Sequence, residues 1–271
     1  MIKFSFVIPF YNGSKYIEPL LNAINNQTYK EYQIIIINDF SKDEEKEKLL
    51  SISNKFSFEN IIIKHNDLNQ GLIKTLNIGL HLAENNNVIV IGQDDFIQEN
   101  HLASIKDNIE KYNNNYGAIF CDAVYVRNED ITTQFLRDKK LDKFKDKKIN
   151  FIHLSRWNYI VSTGICLNKE NLLSVGGFNE QYRNHGEWLT WLSICKFGIY
   201  LNKNSFSFYR RHENNITNKL FKKEFKSTFD YYNYVNKFAY SISPKNLKNK
   251  YIFAFCYLRN LLLLIYKNIF S

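Results

Sequence analysis

Short apolar runs alternate along this chain with longer stretches whose apolar residues recur three and four apart. Phe4–Ile8, Gln33–Ile37, Ile61–Lys64, Val88–Ile91 and Ala118–Cys121 are four or five residues each and rich in Ile and Val. Runs of that length and chemistry read as buried strands. Between them Lys15–Asn26, Asp43–Ser53, Leu72–Ala83 and His101–Lys111 carry helical spacing. In the first, Ile17, Leu20, Leu21 and Ile24 share one face, and Ser14 offers an N-cap. Regular alternation of this kind predicts right-handed crossovers and an α/β fold, with a mostly parallel, Rossmann-like central sheet flanked by helices.

After Cys121 the rhythm changes. Arg137–Lys148 is charged and aperiodic, which suits an exposed loop or flap. Leu167–Val175 reads as a helix stopped by Gly176-Gly177, Trp188–Phe197 as another helix, and Ile199–Tyr209 as one or two strands. No repeat and no Pro/Gly/Ser linker interrupts the chain.

With 271 residues and 45% hydrophobic content, the chain can bury a sizeable core. Cys121, Cys166, Cys195 and Cys256 are far apart and lie in apolar settings. They read as buried free thiols, which suits a reducing, cytoplasmic compartment. No secretory leader is expected, because Met1–Ile8 runs straight into a strand pattern. The net charge of +9 is uneven: from residue 219 onward ten Lys and Arg stand against Glu224 and Asp230. The expected division is therefore a domain over 1–218 and a basic, aromatic, helical extension over 219–271. Tyr251–Phe270 approaches the length of a membrane span, but Arg259 and Asn260 break it. It reads as a helix lying on an anionic membrane surface or packed on the core. Nucleic acid is a poor fit, since residues 1–218 show no basic stripe.

The chemistry-bearing residues gather at predicted strand ends. Asp94 and Asp95 follow the fourth run, where open α/β sheets bind ligands. Two adjacent carboxylates suit a divalent cation carrying a diphosphate, or simply an acidic turn. Pro9, Tyr11 and Asn12 close the first run, and Tyr11 can stack on a base. Asp39 closes the second, as a ribose or base acceptor or as a turn residue. Glu187 opens a helix, as a general base or as a partner of the helix dipole. His212 follows the last predicted strand with Arg210 and Arg211, as ligands of metal or phosphate or as structural residues.

Taken in order, VIPFYN (Val7–Asn12), Gln27-Thr28, IIIINDFSKD (Ile34–Asp43), NQGLIKTLNIGL (Asn69–Leu80), GQDDF (Gly92–Phe96), VGGFNE (Val175–Glu180) and HGEWLTWL (His185–Leu192) resemble the family-two glycosyltransferases. The resemblance spans roughly residues 4–215 and implies the GT-A fold. It implies a nucleotide-sugar donor, UDP-linked, with Pro9, Tyr11, Asn12, Asp39, Asn77 and Asp94 on the nucleotide side. It implies a divalent metal, Mn²⁺ or Mg²⁺, at Asp95 with His212, and Glu187 as the base of an inverting transfer. Gly177, Phe178 and Trp188 would lie on the side of a saccharide or lipid-linked acceptor, in bacterial surface-glycan synthesis. The chain departs from the family pattern at Asn38, Phe40, Leu76, Gly92 and Gly186. Two other classes compete: a degenerate, non-catalytic nucleotide-binding or membrane-surface protein, and a sugar-phosphate nucleotidyltransferase. The latter lacks a Gly-rich basic loop after the first strand.

Overall fold

The computed structural model describes residues 1–127, 130–135, 148–181, 186–212, 228–243, 253–254 and 256–261, with backbone alone at 130–135 and 228–229. Among these, nine strands form one sheet. They are β1 (Phe4–Phe10), β2 (Tyr32–Asn38), β3 (Ile61–His65), β4 (Asn87–Val90), β5 (Phe96–Ile97), β6 (Ala118–Arg127), β7 (Asp130–Phe135), β8 (Ile165–Asn168) and β9 (Ile199–Arg211). Their spatial order is β3-β2-β1-β4-β8-β6-β9-β5, with β7 on β6. The first four are parallel neighbours, as the alternation predicts. Past β4 the sheet is mixed: β8 is antiparallel to β4 and β6, β9 is parallel to β6, and β5 is antiparallel to β9.

Helices cover both faces: α1 (Ser14–Asn25), α2 (Asp43–Ser53), α3 (Leu72–Leu82), α4 (His101–Lys111), short α5 (Phe151–Arg156) and α6 (Lys169–Leu173), α7 (Glu187–Ile194) and α8 (Thr228–Ile242). Side chains alternate across a strand, so β1 feeds two cores. Phe4, Phe6, Ile8 and Phe10 pack with Ile17, Leu20, Leu21 and Ile24 of α1. Val7 faces the other way, with Ile35, Ile37 and the α3 residues Ile73, Leu76 and Leu80. Burial on both faces explains why these strands are continuous apolar runs.

Two expectations change. Leu167 lies in β8, paired with Val88, and the helix expected over Leu167–Val175 begins at Lys169. The four-residue run Ile165–Asn168 gains more as a strand buried on both faces, and the Asn168 side chain accepts the Asn171 N–H to start α6. Ser14 is the first helical residue, not a cap; Gly13 precedes it, and the Ser14 N–H is taken by Glu45 Oε2 at 2.9 Å. In the C-terminal extension, Val235, Ala239 and Phe253 join the core that lies under α3 and α7. The segment over 137–147, much of the basic extension (219–227, 244–252 and 262–271) and Asn184-His185 lie outside the described residues. All four cysteines are free and buried, and burial pushes the thiols of Cys121 and Cys166 up to about 12. No helix among the described residues is long and apolar enough to cross a membrane.

Candidate active site

The parallel strands end side by side, with Phe10, Asn38 and His65 in register. The loops just beyond form the crevice. The first two are laced together: the Asp39 N–H donates to the Phe10 carbonyl, the Asn12 N–H to Ser41 Oγ, and the Lys42 N–H to Asn12 Oδ1, at 2.8–3.0 Å. Asn12 and Phe40 adopt left-handed backbone, at φ 46° and 64°. Phe40 stands where the family pattern has glycine and pays steric strain for it. Tyr11 and Phe40 are half-exposed aromatics on these neighbouring loops. Pro9 lies inside β1, opposite Ile37.

Asp39 is buried, and both its carboxylate oxygens accept hydrogen bonds from its own fold. Its Oδ1 accepts from Asn66 Nδ2 (3.0 Å) and the Gln70 N–H (2.7 Å), and its Oδ2 from the Gly71 N–H (2.8 Å). This carboxylate fastens the Asn66–Gly71 loop to the crevice at the start of α3. Asn77 is likewise engaged by the fold. Its amide donates to the Phe178 carbonyl (3.0 Å) and to Glu180 Oε1 (2.7 Å) and accepts the Phe178 N–H (2.8 Å). The turn that it grips needs Gly177: φ is 78°, and a Cβ would lie 2.8 Å from Asn77 Oδ1. The two Gly-containing motifs, expected on opposite sides of the substrate, are thus bound to one another. Phe178 and Trp188 are buried in the core, Trp188 donating its indole N–H to the Leu154 carbonyl at 2.8 Å.

The aspartate doublet divides into an inner and an outer carboxylate. Asp95 is 5% exposed; its Oδ2 accepts from Thr163 Oγ1 (2.7 Å) and its Oδ1 from the Arg210 N–H (2.9 Å). Burial, and then the charge of Asp94, raise its pKa well above the ordinary carboxylate range. Asp94 has 23% of its side chain exposed and meets His212, 17% exposed, with Oδ2 2.9 Å from Nε2. Arg210 lies below both, its Nε–H on the Asp94 carbonyl at 3.1 Å, while Arg211 packs over the Tyr125 ring. The doublet loop is clipped to β1 by Gln93, whose amide accepts the Tyr11 N–H (2.9 Å) and donates to the Tyr11 carbonyl (3.1 Å). Gln93 lies on Gly13, where any Cβ would come within 2.1 Å of it.

Glu187 is the first residue of α7 and partly buried. Burial raises its pKa to about 7, against a hydrogen bond from Ser162 that lowers it. Ser162 and Thr163 are consecutive, so one segment touches both Glu187 and Asp95. Sequence reasoning missed Gln93, Ser162 and Thr163. Only Gln93 carried a signal, its place beside the doublet. His101, by contrast, is structural: it is buried between Ser205 Oγ and the Gly164 carbonyl, and burial lowers its pKa to about 4.

Among the described residues no three His, Cys, Asp or Glu side chains gather as a metal cage. The part-exposed Asp94–His212 pair nevertheless suits a cation completed by phosphate oxygens and water, the usual arrangement where a metal rides on a diphosphate.

A family model described as glycosyl transferase family 2 matches residues 5–171, more than half of the chain. The chain belongs to glycosyl transferase family 2. Glycosyltransferase GlyA of Streptococcus pneumoniae is 31% identical over 111 residues, 41% of this chain and 15% of GlyA. The poly(ribitol-phosphate) beta-N-acetylglucosaminyltransferase TarS of Staphylococcus aureus is 29% identical over 114 residues, 41% of this chain and 20% of TarS. The matched region is thus a fifth or less of the length of these curated relatives. Residues 1–349 of TarS with UDP-GlcNAc share the fold at a TM-score of 0.71 and 17% identity, over 96% of this chain and 72% of that one. The mannosyltransferase PcManGT of Pyrobaculum calidifontis with GDP-Man and Mn²⁺ superposes at 0.61 and 14% identity, over 96% and 74%. The architecture is the GT-A fold.

Proposed function

We propose that this family-two glycosyltransferase moves a hexose from a UDP-linked donor to a saccharide or lipid-linked acceptor with inversion, in the synthesis of a bacterial surface glycan. The observation that carries the reading is Glu187, a carboxylate at a helix start whose pKa of about 7 suits a base at neutral pH. Relatives and neighbours support the donor class, since TarS was solved with UDP-GlcNAc and PcManGT with GDP-Man. TarS, by its name, transfers to poly(ribitol-phosphate), which supports a polymeric acceptor.

In this reading Tyr11 stacks on the base, and Pro9, Asn12 and Asp39 shape the nucleotide crevice, Asp39 by holding its rim loop as well as by facing the base. Asp94 and His212 hold the divalent cation, whose chemistry when bound is neutralising charge on the departing diphosphate. The roles of Asp94 and Asp95 thus exchange relative to the family-based expectation, because Asp94 is the accessible carboxylate and Asp95 the buried one that braces it. Glu187 takes the proton of the acceptor hydroxyl, whose oxygen bonds to the anomeric carbon from the face opposite the diphosphate. The bond to the diphosphate breaks, and its electron pair leaves with it. Gly177, Phe178 and Trp188 support the acceptor side from beneath, and Asn77 ties that side to α3. We assign catalysis to residues 1–218, and to the extension over 219–271 a position against the anionic inner face of a membrane.

The test is a donor screen: purified protein, Mn²⁺ or Mg²⁺, and a panel of sugar nucleotides, with nucleoside diphosphate release measured with and without EDTA. Metal-dependent release from a UDP-sugar, lost in Glu187→Gln, supports the reading. Equal release in EDTA, or full activity of Glu187→Gln, overturns it.

A further inference from the structure

His212 lies one residue beyond the end of β9, outside the ladder, so side-chain contacts set its orientation. One is the bond to Asp94. Another is with Tyr16 on the first turn of α1, whose ring stacks on the imidazole with centroids 4.5 Å apart and planes within 12°. Tyr16 is also a meeting point for positive charge: the Arg210 guanidinium lies 5.8 Å and Lys15 Nζ 5.4 Å from its ring centre. A flat, partly buried ring stacked on an imidazole resists its tipping, while the imidazole Nε2 bonds Asp94 Oδ2 at 2.9 Å.

We propose that Tyr16 is a positioning residue, holding His212 edge-on to Asp94 so that the two can grip a cation carrying a nucleoside diphosphate. This role rests on the reading of Asp94 and His212 as the cation-binding pair. It links α1, which follows the base-binding loop, to the segment after β9, 196 positions away in sequence. A favourable aromatic stack of this kind corresponds to roughly a five- to tenfold change in affinity.

The experiment is calorimetric titration of UDP, and separately GDP, into wild type, Tyr16→Phe and Tyr16→Ala, each in Mn²⁺ and in EDTA. The expected result is an affinity in Mn²⁺ about five- to tenfold weaker for Tyr16→Ala, unchanged for Tyr16→Phe, and equal for all three proteins in EDTA. Tyr16→Leu, which keeps apolar bulk on α1, serves if the alanine variant does not fold. Equal affinities in Mn²⁺, or the same loss in Mn²⁺ and EDTA, overturn the positioning role and leave the cation pair standing. A wild type whose affinity gains nothing from Mn²⁺ overturns the cation pair itself, and the role of Tyr16 with it.

Discussion

Asp94 and His212, 118 positions apart, meet with Oδ2 2.9 Å from Nε2 at the mouth of the crevice. The pair joins the end of the parallel half of the sheet to the end of β9 in the mixed half. It brings a part-exposed carboxylate and an imidazole together, and the proposed function sets the leaving diphosphate beside them.

The doublet divides by accessibility, and its two members separate by mutation. Asp94→Asn and His212→Ala are expected to remove the Mn²⁺-dependent part of UDP binding while leaving the fold intact. Asp95→Asn instead turns an amide N–H toward either Thr163 Oγ1 or the Arg210 N–H, both of which donate to it now. It should cost about 1–3 kcal/mol of stability. Thermal melts beside titrations in Mn²⁺ and EDTA check both halves. Full metal dependence in Asp94→Asn would return the ligand role to Asp95.

Glu187 gives a pH signature with a definite sign. Its folded pKa of about 7 lies above its ordinary value of 4.5, so the folded state holds the extra proton between those limits. Stability from this group is therefore present below about 4.5 and is lost as pH rises to about 7. The loss is at most about 3 kcal/mol, less because the carboxyl is partly accessible. Glu187→Gln should melt higher than wild type at pH 8 yet lose roughly 10²–10⁴-fold in transfer rate. The wild-type rate should rise about tenfold per pH unit below 7 and level off above it. A pH-rate profile and paired melts at pH 5 and 8 measure both effects.

Ser162 lowers the pKa of Glu187 by its hydrogen bond, so Ser162→Ala should move the acid limb of the pH-rate profile upward. An unchanged limb would show that the hydroxyl does not tune the base.

Asn77 joins α3 to the Gly177–Glu180 turn through three hydrogen bonds. Asn77→Ala leaves the buried Phe178 backbone without partners and should cost about 1–3 kcal/mol in denaturant unfolding. If the turn supports the acceptor side, as the proposed function holds, acceptor KM should rise more than donor KM. An equal rise in both would place Asn77 at the nucleotide.

Gly13→Ala forces the Gln93 amide off Tyr11, since the new Cβ would lie 2.1 Å from it. The expected loss is about 1–3 kcal/mol, and Gln93→Ala should remove most of the additional cost in the double variant. Additive losses would mean that the clip between the two loops does not bear on stability.

Much of the nucleotide half was legible in the chain. Ile34–Ile37 and Val88–Val90 are buried on both faces, which forces continuous apolar runs that announce themselves as strands. Polar residues immediately after such runs, Asp39 and Asp94 among them, then mark the crevice. The mixed half was less legible. β8 is four residues long, β5 is two, and their partners are distant or antiparallel, so no local period distinguishes them from a helix start or a loop.

The sequence by itself determined the alternating α/β order, the buried cores, and the gathering of candidate residues at the ends of the parallel strands. Local periodicity and composition suffice for these, because backbone geometry repeats every two or 3.6 residues. Only the tertiary structure decided which aspartate is accessible, that Asn77 grips the Gly177–Glu180 turn, and that Ser162 and Thr163 reach Glu187 and Asp95. Each depends on contacts between residues far apart in the chain, and on how much water packing leaves around a carboxylate; neither leaves a period in the sequence.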